Sequence, residues 1–167
     1  MLMYHRFGDS GHPENNIQLD QFDAHLDELS KEKYHILPLP EILSAIKTGK
    51  TLPKFTVAIT IDDAFQSVFT RAVPRLKSRG FPFTLFISTR AIEGGSSSYM
   101  NWDQIRELRD AGAEIGHKTH SYLHMANQEN KTIIRDIEAA NKRFKTELGF
   151  VPKLFAYPYG ETDIKAM

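Results

Sequence analysis

Two adjacent acids, Asp62 and Asp63, end the apolar, β-branched run Phe55-Thr56-Val57-Ala58-Ile59-Thr60-Ile61. A second polar cluster, His117-Lys118-Thr119-His120-Ser121-Tyr122-Leu123-His124, lies about two βα units downstream. A divalent cation held by one carboxylate and two imidazoles keeps positions open for water, lowers the pKa of that water and polarises a carbonyl. A second carboxylate nearby can take the proton, which suits an adjacent pair split between ligand and base. Neighbouring strand side chains point to opposite faces, so both acids reach one site only if the strand has turned into its loop by Asp63. The bland alternative is that the pair caps a helix starting near Phe65. His120 and His124 are four residues apart, which lets both reach one ion from a helical turn, although such pairs also occur by accident on surfaces. His117 is a third candidate, while Lys118 beside it would repel a cation. His5, at the end of the first strand-like segment, is placed to face the same mouth; His12, His25 and His35 read as surface or structural residues.

The elements that must position these groups alternate between strand and helix. Residues 2–5 read as a short strand, and Leu19, Phe22, Leu26 and Leu29 recur at helical spacing before residues 34–37 turn extended. Residues 41–47 suggest a short helix closed by Gly49, and the acid-bearing strand follows at 55–61. Phe65, Val68, Phe69, Ala72, Val73 and Leu76 form one apolar helical face, in which Pro74 marks a kink or a break. Residues 83–88 form a strand, and the Gly-Gly-Ser-Ser-Ser stretch at 94–98 a mobile loop. Asn101 caps a helix over 102–111 that stops at Gly112, and a brief strand at 113–116 delivers the histidine cluster. Ile133, Ile134, Ile137, Ala140, Phe144 and Leu148 place a long helix on the core, ended by Gly149, and residues 154–157 form the last strand. This alternation implies a parallel sheet or barrel with right-handed crossovers, and acids at a C-terminal strand end stand where such folds carry chemistry.

Composition narrows the setting. The 167 residues, 41% hydrophobic and 25% charged, are enough for one domain, 1–167, to bury its own core. Twenty-one basic residues balance twenty-one acidic ones, so no net field draws the chain to nucleic acid or an anionic membrane, and a neutral substrate fits better. The absence of cysteine excludes disulfides and thiolate ligands. No apolar stretch approaches the roughly 20 residues of a membrane span, and Met1-Leu2-Met3 lacks the regions of a signal peptide.

These residues resemble the polysaccharide deacetylases of carbohydrate esterase family four, the NodB homology domain. Thr60-Ile61-Asp62-Asp63-Ala64-Phe65 is similar to that family's Thr-Phe-Asp-Asp-Gly motif. Glu114-Ile115-Gly116 followed by His120-Ser121 and His124 is similar to its His-Ser/Thr-x-x-His motif, and Phe155-Ala156-Tyr157-Pro158-Tyr159-Gly160 to its Arg-x-Pro-Tyr motif. Tyr4-His5 and Phe83-Thr84-Leu85-Phe86 extend the resemblance over nearly the whole chain. It implies an α/β fold, a distorted and incomplete (β/α) barrel. It also implies metal-dependent hydrolysis of N-acetyl or O-acetyl groups on a polysaccharide or cell-wall glycan. By resemblance Asp62 is the base, Asp63, His120 and His124 are ligands of zinc (or nickel, cobalt or manganese), and the backbone N–H of Tyr159 faces the oxyanion. His5, His117, Tyr122, Tyr157 and Pro158 would line the site. The setting implied is the cell envelope or beyond, although the chain itself carries no export signal.

The sequence departs from the family at named places. Aligning Glu114-Ile115-Gly116 without a gap puts Lys118 and Tyr122 at the ligand positions, and only a two-residue insertion restores His120 and His124. Ala156 stands where the family has the Arg that orients the base, and Ala64 replaces its Gly. The strands and the general-acid His that follow the third motif fall beyond Met167. A barrel needs closure to remove its edges, so a further segment or a second copy is expected to complete the wall. A degenerate, non-catalytic glycan- or partner-binding module on the same fold stands beside the enzyme reading. A receiver-like domain binding magnesium does not fit, because the acid pair does not follow the first strand and no phosphoacceptor and Lys follow in order.

Overall fold

The computed structural model describes residues 1–161. Its centre is a four-stranded parallel sheet in the order β1 (Leu2–Tyr4), β6 (Ile59–Asp62), β7 (Thr84–Ile87), β8 (Glu114–His117). Two short parallel pairs flank it: β2 (Arg6–Phe7) with β3 (Asn16–Ile17), and β4 (His35–Ile36) with β5 (Thr56–Val57). The helices are α1 (Leu19–Leu29), α2 (Leu39–Thr48), α3 (Val73–Ser78), α4 (Thr89–Glu93), α5 (Trp102–Asp110) and α6 (Asn130–Leu148). This is the α/β parallel architecture expected of a partial barrel, with the core between the sheet and its helices. Ile59, Ile61, Leu85, Ile87 and Ile115 meet Phe22, Leu26, Leu76, Ile105, Ala140 and Phe144 there. Burying each such side chain contributes about 1.5–3 kcal/mol.

Several elements follow directly from local chemistry. Asn101 accepts from the Gln104 N–H at 2.9 Å while the Gln104 side chain returns to the Asn101 N–H at 3.0 Å, a capping box that starts α5. Gly49 and Gly149 end α2 and α6 at φ 70° and 82°, the left-handed turn that satisfies late carbonyls. The helix expected from Phe65 divides at Pro74. A single wide π-type turn, Val68–Ala72, runs into α3, and Pro74, which has no N–H to donate, sits in the first turn of that helix.

Three local expectations change. The run at 55–61 is not one strand: it pairs with β4 through β5, then with β1 through β6, and the change of partner falls at Ala58, whose carbonyl accepts from the Leu2 N–H at 2.9 Å. Strand propensity reports an extended backbone but not which neighbour it joins. The short helix α4 follows β7 without a sequence cue, since Ser88 offers it no side-chain cap. The last expected strand contributes a single bridge, Phe155 beside His117.

Candidate active site

The strand register decides which side chains meet. Asp62 pairs with Phe86, and Phe86 with Gly116, so β6, β7 and β8 are in step. By the two-residue alternation of strands, Thr60 and Asp62, Phe86, and Gly116 share the face away from the helices, whereas Ile61, Ile87, Ile115 and His117 face them. Only glycine fits at 116, because a Cβ there would lie 2.3 Å from the Phe86 ring. The Lys118 N–H continues the ladder to the Ile87 carbonyl at 3.0 Å, so Lys118 points the same way as Gly116 and Asp62. Its ammonium lies 2.6 Å from Asp62 Oδ2 and 3.5 Å from Asp63 Oδ1, with only 2% of the side chain exposed. It also sits 4.8 Å from the centre of the Tyr122 ring.

Asp63 has already left the strand. Its φ is 66°, while its N–H still bonds the Phe86 carbonyl at 2.9 Å. The turn aims the two acids apart. Asp63 opens into a cavity of about 560 Å³ that His5, Arg90, Tyr99, His120, Tyr122 and Tyr159 also line. Asp62 opens into a second cavity of about 570 Å³ behind it, with Met3, Thr60, Phe155 and Tyr157. Thr119, Tyr122 and Tyr159 likewise hold positive φ, at 68°, 61° and 58°. Such non-glycine backbones each cost about 1–3 kcal/mol and persist where the surroundings fix them. Three of them, Asp63, Tyr122 and Tyr159, line one mouth and mark a preorganised site.

The electrostatics centre on Lys118. Burial raises the pKa of the Asp63 carboxyl, an effect that the Lys118 and His5 charges only partly offset. Burial works against the Lys118 ammonium, yet the Asp63 and Asp62 carboxylates together outweigh it and hold the Lys118 pKa above its usual value. His5 Nε2 stands 4.0 Å from Asp62 Oδ2, as its position at the end of β1 implies.

The expected histidine ligands do not converge. His120 Nδ1 is 2.7 Å from Thr89 Oγ1, and its backbone N–H donates to Asp136 at 2.8 Å. His124 stacks flat on Tyr159, 3.6 Å between ring centres, and its Nδ1 is 3.0 Å from Glu161 Oε2. Among the described residues no three His, Asp or Glu side chains come together to hold a metal ion. The ladder of β8 continues through the Lys118 N–H, and Lys118, with the Tyr122 ring against its ammonium, is the side chain that meets the acids. The donor set present, two carboxylates already joined to an ammonium, does not fit the divalent ion that Asp63, His120 and His124 were expected to bind.

Other expected lining residues divide. Tyr122 and Tyr159 face the Asp63 cavity, and Tyr157 the Asp62 cavity. Pro158 is buried beside them in the turn Pro158–Gly160. His117 is a correction: it lies on the helix-facing side of β8, its ring 5.1 Å from Phe144. Burial lowers its pKa, and its Nδ1 accepts from the Thr119 N–H at 3.0 Å, so it is a neutral core residue. Sequence reasoning missed Asp136, which receives the N–H groups of His120 and Ser121 and the Ser121 hydroxyl. It also missed Tyr99, which stacks on Phe65 at 5.0 Å where the segment after residue 98 is tied back by Met100 N–H to Ala64 O.

A family model described as polysaccharide deacetylase matches residues 49–166. The chain belongs to the polysaccharide deacetylase family. A poly-beta-1,6-N-acetyl-D-glucosamine N-deacetylase of Staphylococcus aureus is 31% identical over 160 residues, 87% of this chain and 54% of that protein. The chain thus spans about half the length of the curated relatives it matches. Among solved structures, IcaB from Ammonifex degensii superposes with a TM-score of 0.86 at 26% identity, over 99% of this chain and 76% of that one. The Streptococcus pyogenes deacetylase PplD, in complex with acetate, gives a TM-score of 0.88 at 21% identity over 99% and 75%, a likeness of fold.

Proposed function

We propose that the chain removes acetyl groups from an N-acetylated glycan of the cell envelope, such as a β-1,6-linked N-acetylglucosamine polymer, bound across the Asp63 cavity. The observation that carries this reading is the meeting, at one mouth, of Asp63 from the end of β6 with Tyr159 of the third motif. Family membership and the activity named for the Staphylococcus aureus relative support it.

Asp63 is the group placed to act as base. It faces the cavity, while the Asp62 carboxylate is held by Lys118 at its back. The raised Asp63 pKa makes its carboxylate a stronger proton acceptor. In this scheme a cavity water adds to the acetamide carbonyl and gives its proton to Asp63. Collapse breaks the C–N bond, releases acetate and returns that proton to the leaving amine. The Lys118 ammonium, 2.6 Å from Asp62 Oδ2, holds that side chain behind the reacting group, and the Tyr159 N–H is the proposed oxyanion donor. No step passes through a metal, because the side chains at this position do not assemble a site for one.

The test is acetate release from β-1,6-N-acetylglucosamine oligomers and from acetylated peptidoglycan fragments. Wild-type protein should release acetate, and Asp63→Asn should lose about 10²–10⁴-fold, the usual contribution of a general base. Glycan binding by calorimetry with no acetate from any of these substrates would refute the hydrolytic reading and assign the chain to glycan recognition.

A further inference from the structure

We propose that the Lys118 ammonium is a built-in cation standing in the place of the divalent ion, so that the acid pair is complete without metal and takes none up. Three independent features carry this. The β7–β8 ladder fixes Lys118, and the Tyr122 ring lies 4.8 Å from its ammonium; these are the two residues that the gapless motif alignment sets against imidazole ligands. The ammonium already contacts both carboxylates, at 2.6 Å and 3.5 Å, from a fully buried stem. The two histidines that could have replaced the lost ligands do not reach the acids: His120 Nδ1 contacts Thr89 and His124 Nδ1 contacts Glu161 beneath the Tyr159 ring.

The electrostatic logic is substitution of one positive charge for two. A divalent ion entering beside Lys118 would meet a like charge at a few ångströms among largely buried side chains, where such repulsion is stronger than in solvent. Displacing the ammonium would instead leave it buried without a partner, which strongly destabilises the folded state. Tyr122 offers its ring to the ammonium, 4.8 Å from the ring centre, and so packs against Lys118 rather than presenting an imidazole to an ion. The ammonium therefore excludes an ion and offsets one of the two carboxylate charges.

The experiment uses the whole chain. Purified protein is incubated with zinc or cobalt chloride, desalted, and assayed for bound metal by elemental analysis and for cobalt absorption, with thermal unfolding recorded in parallel. Wild type should retain no ion that depends on Asp63, and its unfolding temperature should not change on chelation. Binding to the native state alone would raise stability by RT ln(1 + [L]/Kd), so a genuine site cannot be silent in that assay. The Lys118→His/Tyr122→His double variant should gain one equivalent, with a cobalt spectrum that Asp63→Asn abolishes. A stoichiometric ion in wild type that is lost in Asp63→Asn would overturn the proposal, as would a folded double variant that still binds nothing. Neither readout depends on acetate release, so the inference can fail while deacetylation stands, and the reverse.

Discussion

Lys118→Met tests the centre of the structure most directly. Methionine nearly matches the length and volume of the lysine stem, so packing changes little, but the ammonium between Asp62 and Asp63 disappears. Two carboxylates then share a buried site with no counter-ion except His5, whose Nε2 is 4.0 Å from Asp62. Removing one partner of a buried pair typically destabilises by about 3–5 kcal/mol. The acids can limit the loss by taking up a proton, at about 1.4 kcal/mol per pKa unit. In a chain of this size each kcal/mol lowers the unfolding temperature by about 2–4 °C, so a fall of roughly 6–20 °C is expected at pH 7. The penalty should also depend on pH with a definite sign. Without Lys118 the folded-state carboxyl pKa values rise above the unfolded ones, so the folded protein binds protons more readily and the deficit shrinks as pH falls toward 5. Asp62→Asn in the Lys118→Met background should recover part of the loss, giving a coupling of about 0.5–3 kcal/mol. Circular dichroism melts and denaturant titrations of the four proteins measure all of this. A Lys118→Met protein within about 1 kcal/mol of wild type, with no pH dependence in the difference, would refute the account of the buried ion pair.

Asp63→Asn should stabilise the protein at neutral pH while removing activity: burial raises the Asp63 pKa, so its ionised form works against folding above the unfolded value of 3.8 and the gain vanishes as pH falls below that value, in melts across about pH 3–8. At the alkaline end, the raised Lys118 pKa contributes stability that is present below the unfolded value of 10.5 and lost as pH climbs through the folded one, an inflection that Lys118→Met should abolish. Asn101→Ala should cost about 1 kcal/mol in denaturant titrations by opening the α5 capping box. Gly116→Ala should cost about 1–3 kcal/mol, because the Phe86 ring must move off the new Cβ, and Phe86→Leu in the same chain should return part of it.

How much of this could be read from the residues divides along a physical line. Local signals carried the helices well. The Asn101 cap, the αL glycines at 49 and 149 and the break at Pro74 all act within one turn of chain, and each is where its chemistry puts it. The acid pair was equally legible, since a β-branched run ending in two carboxylates sets both the strand and its exit. What the sequence left open depended on pairing between strands. The division of residues 55–61 between two sheets and the single bridge at Phe155 are choices of neighbour, which period-two patterning cannot make.

The histidine register was open for the same reason, and its resolution reverses the importance of two neighbours. Read along the chain, His117 looked like a ligand candidate and Lys118 like an obstacle beside it. Once β8 is locked to β7 through Phe86 and Gly116, alternation sends His117 into the helices against Phe144 and Lys118 toward the acids. A one-residue shift in a strand exchanges every inward and outward side chain, so a motif defined by imidazoles is only as secure as the ladder that carries it. Here that ladder leaves no freedom: Asp62 is paired with Phe86, Ile87 with His117, and the Lys118 N–H with the Ile87 carbonyl. Sliding the chain by two residues to put His120 where Lys118 stands would keep His117 on the helix side, but it would break that bond and bring the Lys118 side chain to the Gly116 position, against the Phe86 ring. The lysine is thus held in the site by the sheet itself, and the carboxylates of Asp62 and Asp63 are the reason a charged side chain can remain there.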